Sequence, residues 1–173
     1  MAIHRLNHAV LYVRDVARSM TFYGDVLGFE TIGELPGGRG AFLRAPGSTN
    51  DHDLGIFALG DEATDSAAGR TSVGLYHLAW EVETLGEMAE LERSLRGGGF
   101  LVGASDHGTT KSLYAKDPDG IESEIVWLIP ADLLTDADRD RATGVAPLDL
   151  DAELARFGAD TRSGLGVSRP AHA

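Results

Sequence analysis

The pattern of apolar and polar residues repeats along this chain. Residues 5–13 (RLNHAVLYV) are mostly apolar and β-branched and predict a strand that contains His8. Asp15 is placed to cap a helix whose apolar residues recur at helical spacing, namely Val16, Met20, Tyr23 and Leu27. Gly28 predicts the end of that helix, and short extended segments separated by turns follow it.

The second half of the chain repeats this order of elements. Residues 73–82 (VGLYHLAWEV) predict a strand that contains His77. Thr84 and Glu87 form the T-x-x-E capping box of a second helix. The apolar face of that helix consists of Met88, Leu91 and Leu95, and glycines at 97–99 predict its end. In both halves a valine stands five residues after the strand histidine, so the two halves are in register.

Each half is typical of a β-α-β-β-β unit, and the chain is predicted to adopt an α+β fold of two such modules, residues 4–59 and 72–129. A unit of about 60 residues is marginally stable alone. We therefore expect the modules to complete one another within one domain, residues 1–130. Residues 131–173 lie outside the repeat; 148–157 predicts one helical segment, and the end of the chain is expected to be mobile.

Charge and length restrict the function classes. The 173 residues carry 15 Lys and Arg against 27 Asp and Glu, a formal net charge of −12. This balance argues against nucleic acid or an anionic membrane surface as a partner, because both require a basic face. The sequence has no run of the length of a membrane span and no apolar stretch typical of a signal peptide, so a cytoplasmic location is expected.

The absence of cysteine restricts the chemistry further. Disulfides, thiolate nucleophiles and sulfur-based metal centres are excluded, so any metal must be held by histidines and carboxylates. Of the six histidines, His8 and His77 stand at matching points of the two predicted strands. Two core histidines with satisfied ring nitrogens are the ordinary alternative. Independent core residues have no reason to share a register, however, so the pair is a candidate for metal binding.

The last predicted strand of the second module supplies a candidate third ligand. Residues 121–127 (IESEIVW) carry Glu122 and Glu124, which strand alternation directs to one face. A carboxylate among apolar residues is costly unless it is paired or bound to a metal, although a solvated edge strand is the alternative. Two histidines and one carboxylate form the facial triad typical of non-haem Fe(II) oxygenases.

Residues 5–128 resemble the vicinal oxygen chelate superfamily of glyoxalases, bleomycin-resistance proteins and dioxygenases. The run 106–124 (DHGTTKSLYAKDPDGIESE) is similar to the fingerprint of its single-domain type I extradiol ring-cleaving dioxygenases, H…S-x-Y-x-x-D-P-x-G-x-x-x-E. The resemblance implies that the two modules form one domain with a metal site in an incomplete barrel. It implies three ligands for Fe(II), with Mn(II) as a substitute: His8, His77 and Glu124.

Two features within this resemblance favour the extradiol branch. Glyoxalase-type members usually carry a fourth ligand, Glu or Gln, on the last strand of the first module, and residues 51–59 (DHDLGIFAL) contain neither. A fourth ligand would leave fewer positions for a chelating substrate and O2. His52 stands where these dioxygenases carry an acid–base histidine, a role that suits a side chain titrating near neutral pH. A surface histidine is the alternative.

Tyr114 and His107 complete the implied site. In the resembled enzymes the fingerprint tyrosine hydrogen-bonds a substrate oxygen, which corresponds to Tyr114 in this sequence. A histidine upstream of that tyrosine lines the pocket, which assigns His107. A plain core aromatic is the alternative for Tyr114. The implied catalytic residues are therefore His52, Tyr114 and His107.

The implied function is cleavage of a catechol-type ring by Fe(II) and O2, with a homodimer or higher homo-oligomer as an open option. Three alternatives remain. A fosfomycin-type thiol transferase has the same two His and one Glu but binds a phosphonate, and only Lys111 and Lys116 lie near the fingerprint to serve it. A glyoxalase-type isomerase needs another carboxylate. A non-catalytic binding module for resistance has no need of a metal site.

Overall fold

The computed structural model describes residues 3–164, and its elements follow the predicted order. The first module consists of β1 (Ala9–Val13), α1 (Val16–Met20), a π-helical segment (Thr21–Val26), β2 (Glu30–Leu35), a 3₁₀ turn (Pro36–Gly38), β3 (Gly40–Arg44) and β4 (Leu54–Ala58). The second module consists of β5 (His77–Glu81), α2 (Leu85–Gly97), β6 (Leu101–Asp106), β7 (Thr110–Lys116) and β8 (Glu122–Leu128). The remaining elements are α3 (Asp136–Asp140), β9 (Ala146–Pro147) and α4 (Leu150–Phe157). The predicted α+β fold of two βαβββ modules is confirmed.

The chain divides into two compact units. Unit 1 comprises Met1–Ala67 together with Asp117–Ile121, and unit 2 comprises Ala68–Lys116 together with Glu122–Ala173. No helix among residues 3–164 is both long enough and apolar enough to cross a membrane. The expectation of a mobile chain end concerns in part residues 165–173, which lie outside the described residues.

Unit 1 contains a four-stranded sheet in the order β1-β4-β3-β2. Its edge pair, β1 and β4, is parallel, and the other pairs are antiparallel. Strand residues that face the core are fully or almost fully buried, namely Leu11, Val13, Ala41, Leu43, Leu54 and Ile56. Burial of these branched side chains gives the sheet one apolar face, which the helix of the module covers.

The first helix begins as predicted but does not keep the predicted face. The Asp15 carboxylate accepts a hydrogen bond from the Arg18 N–H at 2.7 Å, which caps the helix. The buried helical residues are Val16, Ser19, Phe22 and Tyr23. Met20 and Leu27, predicted on the same face, are partly exposed. From Thr21–Val26 the helix is π-helical, and because each turn then holds more residues, Leu27 after this segment is rotated away from the expected stripe.

The segment Asp117–Ile121 is fixed in unit 1 by a buried carboxylate. Asp117 is 4% exposed and accepts hydrogen bonds from the Tyr23 hydroxyl at 3.1 Å and from the N–H groups of Asp119 and Ile121 at 2.9 and 2.8 Å. Burial raises the pKa of Asp117, and these three donors oppose that rise. The side chain therefore serves as the shared acceptor of the turn.

Unit 2 contains a five-stranded sheet in the order β5-β8-β7-β6-β9, in which β5 and β8 are parallel. The predicted capping box of α2 is confirmed, since the Thr84 hydroxyl accepts from the Glu87 N–H and the Glu87 carboxylate accepts from the Thr84 N–H. The helix buries Leu85, Met88, Ala89 and Leu95. Two bulky apolar side chains of β8, Ile125 and Trp127, are almost completely buried.

Residues 158–164 lie along the sheet and helix of unit 2. The Ser163 N–H donates to the Glu83 carbonyl at 2.7 Å, and the Ser163 hydroxyl accepts from the Leu128 N–H at 3.0 Å. The indole N–H of Trp127 donates to the Thr161 carbonyl at 3.1 Å. The described part of the extension therefore continues the hydrogen bonding of unit 2.

Replacing Asp117 by alanine should lower the free energy of unfolding by about 3 kcal/mol, because two partly buried N–H groups and one buried hydroxyl lose their acceptor. Tyr23→Phe removes only one of the three donors and should lower it by about 1 kcal/mol. Urea unfolding followed by circular dichroism measures both values. Equal losses in the two variants would contradict the role of Asp117 as the shared acceptor.

Candidate metal centre

Two of the predicted ligands lie side by side in unit 2. Because β5 and β8 pair in parallel with His77 opposite Glu122, strand alternation brings Glu124 to the same face. Nε2 of His77 lies 3.0 Å from Oε2 of Glu124. Neighbouring ligand atoms of an octahedral ion lie about 3 Å apart when each bond is about 2.1 Å long. The two donor atoms therefore fit a shared divalent ion.

The other ring nitrogen of His77 is unusual in its surroundings. Nδ1 lies 3.8 Å from the Glu122 carboxylate, is buried, and has no hydrogen-bond partner. Buried polar atoms are normally paired, because a lost hydrogen bond in the interior is costly. The imidazole is therefore held by its position on β5 and by the approach of Nε2 to Glu124.

A chain of hydrogen bonds continues from the second oxygen of Glu124. The Tyr114 hydroxyl donates to Oε1 of Glu124 at 3.1 Å, and its oxygen lies 2.9 Å from Nε2 of His107. Nδ1 of His107 lies 3.1 Å from the Gly144 carbonyl oxygen. Burial, and then the negative charge of Glu124, raise the pKa of Tyr114 to about 12, so the hydroxyl keeps its proton. Unit 2 thus brings together His77, Glu124, Tyr114 and His107.

The remaining two predicted residues, His8 and His52, meet in unit 1. His8 lies just before β1 rather than inside the strand, and its ring centroid is 4.5 Å from that of His52. Nδ1 of His8 lies 2.7 Å from Oδ1 of Asn7, and the ring of His52 also contacts Phe42, with 5.1 Å between centroids. The structure describes no group of three or more His, Asp and Glu in residues 3–164 that could hold a metal ion. The full triad of His8, His77 and Glu124 therefore stays a prediction.

The repeat defines where a fourth ligand would stand. In unit 2, Ala79 lies opposite Glu124, and in unit 1 the equivalent pair is Val10 opposite Gly55. A Cβ at Gly55 would lie 3.4 Å from the nearest atom, a ring carbon of Phe57, which is ordinary contact. Packing does not require glycine here, and the position that carries a carboxylate in the second module carries no donor in the first.

The nearest carboxylate to that position is already engaged. Asp53 accepts hydrogen bonds from the Ala45 N–H at 2.9 Å, the Ser48 hydroxyl at 2.8 Å and the Asn50 amide at 2.7 Å. Burial acts to raise the pKa of Asp53, but these donors hold that pKa below its ordinary value. Asp53 is an acceptor within its own loop, which disfavours it as a metal ligand.

One of the two lysines near the fingerprint is not free to bind an anion. Lys111 is completely buried, and its ammonium group lies 2.5 Å from Oδ1 of Asp106. A buried ammonium that is neutralised in this way would have to leave the Asp106 carboxylate in order to bind a phosphonate. This contact disfavours the thiol transferase alternative.

Two contributors to the site were missed by sequence reasoning. The Tyr76 ring lies 4.7 Å from the His77 ring, centroid to centroid, and its side chain is 77% exposed. The only sequence signal for Tyr76 was its position next to the candidate ligand His77. The second missed contributor is the backbone carbonyl of Gly144, which contacts His107 and which no side chain marks in the sequence.

The sequence model of the Glyoxalase/Bleomycin resistance protein/Dioxygenase superfamily matches residues 5–125. This chain belongs to that superfamily. Among solved structures, a glyoxylase/bleomycin resistance protein/dioxygenase domain from Frankia sp. EAN1pec superposes with a TM-score of 0.62 at 22% identity, covering 74% of this chain and 94% of that one. At this identity the likeness supports the fold alone, and it agrees with the superfamily match.

Three curated members of the superfamily indicate more than one activity. The catechol-2,3-dioxygenase of Bacillus subtilis (strain 168) is 29% identical over 66% of this chain and 38% of its own length. The biphenyl-2,3-diol 1,2-dioxygenase 3 of Rhodococcus globerulus is 34% identical over 67% of this chain and 59% of its own length. The lactoylglutathione lyase of Neisseria meningitidis serogroup A is 31% identical over 70% of this chain and 89% of its own length. The chain therefore spans less than two thirds of the length of both dioxygenases.

Metal titration distinguishes a metal site from a plain His–Glu ion pair. Fe(II) or Mn(II), added without oxygen and followed by calorimetry, should bind at one ion per chain, and His77→Ala or Glu124→Ala should abolish that binding. Tyr114→Phe removes only the group that orients Glu124 and should weaken binding about tenfold. Glu122→Gln is the matched control on the same strand and should bind as the wild type does. Unchanged binding in His77→Ala would overturn this assignment.

Proposed function

We propose that this member of the superfamily is an Fe(II)-dependent extradiol dioxygenase that cleaves a catechol-type ring with O2. The observation that carries the proposal is a continuous series of contacts. The donor atoms of His77 and Glu124 lie 3.0 Å apart, Tyr114 hydrogen-bonds Glu124, and His107 contacts Tyr114. His8 is the proposed third ligand, because it stands at the position of the first module that corresponds to His77 in the second. The two dioxygenases among its relatives support the same reaction class.

The residues proposed to hold the metal are two imidazoles and one carboxylate. When bound, Fe(II) would supply a Lewis acid with open coordination positions for a diol and O2. The Tyr114 hydroxyl holds Oε1 of Glu124 and thereby leaves Oε2 directed at His77. Oriented ligands of this kind need no rearrangement when the ion arrives.

Proton movements fall to His52 and Tyr114 in this proposal. An imidazole nitrogen of His52 accepts a proton from the diol as it binds and returns one when the ring opens, since an imidazole exchanges protons readily near neutral pH. The Tyr114 hydroxyl keeps its own proton, because its pKa is about 12. With substrate bound, it donates that hydrogen to developing negative charge on the substrate instead of to Glu124. Nε2 of His107 fixes the rotation of that hydroxyl.

A glyoxalase-type isomerase is the second candidate. Its support is the match to a lactoylglutathione lyase, which extends over 89% of that protein. The residue that argues against it is Gly55, which stands at the fourth-ligand position of the repeat and has no donor. The dioxygenase proposal is preferred because an open coordination position is what the binding of both a diol and O2 requires.

Turnover separates the two candidates. Chain loaded with Fe(II) without oxygen, then given O2 and a panel of catechols, should form the yellow chromophore of a ring-fission product and consume one O2 per ring cleaved. The same loaded protein should form no lactoylglutathione from methylglyoxal and glutathione. Bound iron with no oxygen uptake across the panel would rule out the dioxygenase, and formation of lactoylglutathione would favour the isomerase.

The proposed roles of His52 and Tyr114 predict variants that are still loaded with metal at saturating Fe(II). His52→Ala and Tyr114→Phe should each lower kcat by about 100-fold or more, the usual effect of removing an acid–base group or a charge-stabilising donor. Steady-state oxygen uptake gives kcat, and metal content measured on the same samples gives occupancy. Loss of metal from His52→Ala would make His52 a ligand instead, and full activity in that variant would remove it from the site.

A further inference from the structure

We propose that the C-terminal extension, residues 131–157, is a positioning element that fixes the ring orientation and the protonated nitrogen of His107. The contact that does so is the Gly144 carbonyl, which comes from the extension and not from either repeated module. The effect on turnover rests on the proposed dioxygenase function. The effect on the ring orientation and protonated nitrogen of His107 does not rest on that function.

The hydrogen bond between His107 and Gly144 determines which ring nitrogen carries hydrogen. A carbonyl oxygen only accepts, so Nδ1 of His107, 3.1 Å away, must be the N–H donor. Nε2 is then left to the Tyr114 oxygen at 2.9 Å. In the neutral ring Nε2 accepts the Tyr114 hydrogen in place of Glu124, and in the charged ring Nε2 donates to the Tyr114 oxygen, whose hydrogen then stays with Glu124. A neutral histidine in water prefers the opposite form, with hydrogen on Nε2. The extension therefore selects the form that water disfavours.

The turn that carries His107 touches the extension backbone to backbone. Gly108 has a φ of +77°, and a Cβ added there would overlap the Asp138 carbonyl oxygen and lie 2.7 Å from the Arg141 carbonyl carbon. Only glycine combines this backbone conformation with this approach. The end of α3 is therefore seated directly on the residue after His107.

Buried charge holds the same turn from the other side. The Lys111 ammonium is completely buried, 2.5 Å from Oδ1 of Asp106, and 3.6 Å from Glu153 of α4. Oδ1 of Asp106 also accepts from the Gly108 N–H at 2.8 Å, and Oδ2 lies 3.3 Å from Arg141. Burial acts to raise the pKa of Asp106, but these partners hold that pKa below its ordinary value. One carboxylate thus joins β6, the turn and the extension.

A second buried carboxylate anchors the extension itself. Asp138 is 1% exposed and accepts two hydrogen bonds from Arg156, at 2.6 and 2.9 Å, and two more from Thr135. These bonds, above all those from Arg156, hold the pKa of Asp138 well below its ordinary range. Beyond Gly144, β9 pairs with β6. Buried ion pairs are weak evidence of stability but can specify one geometry. Here the geometry they specify is the position of the loop that carries Gly144.

The test reads the His107 ring directly by long-range ¹H–¹⁵N NMR of the full chain, at a pH above the ordinary histidine pKa. The His107→Gln spectrum identifies the signal. The wild type should carry hydrogen on Nδ1. Gly108→Ala, which forces α3 away, should lose that Nδ1–H form and shift to the Nε2–H form. Gly99→Ala is the matched control, because Gly99 has a similar φ of +74° and open space around its Cβ position.

A wild type with hydrogen on Nε2 would overturn the proposal, and so would a folded Gly108→Ala variant that keeps Nδ1–H. If Gly108→Ala does not fold, Arg141→Ala serves instead, since its side chain is 50% exposed and its loss frees the loop from Asp106 and Asp138. Exchange of the Nδ1 proton with water should then be several-fold faster than in the wild type, and an unchanged rate would contradict the proposal. In the loaded enzyme, Gly108→Ala should lower kcat as far as His107→Gln does. An absence of any turnover would reject the dioxygenase and leave the NMR result standing.

Discussion

The parallel pairing of β5 with β8 is the constraint on which the candidate site depends. This register sets His77 opposite Glu122, and strand alternation carries Glu124 to the same face. An imidazole nitrogen and a carboxylate oxygen are thereby brought to 3.0 Å without the help of any loop. A slip of one residue would turn both glutamates to the opposite face, so the site is defined only as long as this pairing is kept.

From this pair, polar contacts run outward across the sheet of unit 2. Tyr114 lies opposite Glu124 on the neighbouring strand and holds its second oxygen, and His107 in turn contacts the Tyr114 oxygen. Strand register places His77, Glu124 and Tyr114, whereas His107 lies in the turn after β6 and contacts the backbone carbonyl of Gly144. Groups that are oriented before a ligand binds do not have to reorganise during the reaction, which is how preorganised donors lower a barrier.

Local sequence patterns are sufficient to predict both modules, because strand alternation, the Thr84 cap and the terminal glycines are each encoded within a few neighbouring residues. They do not predict that Leu27 leaves the buried face, since the π-helical segment before it shifts the side chains that follow. Fingerprint spacing predicts Tyr114 and Glu124 but not the partner of His107. That partner is a backbone carbonyl 37 residues away, whose approach depends on packing of the extension.

The two modules share a register but not a donor set, and this difference bears directly on chemistry. Val10 opposite Gly55 in one module corresponds to Ala79 opposite Glu124 in the other. A side chain at position 55 would meet only ordinary contacts, the nearest at 3.4 Å, so the fold itself does not demand glycine there. A metal with fewer protein ligands keeps more positions open for substrates, whereas a fourth carboxylate would close one. The missing donor at position 55 is therefore the feature of this scaffold that supports the proposed oxygen chemistry over isomerisation.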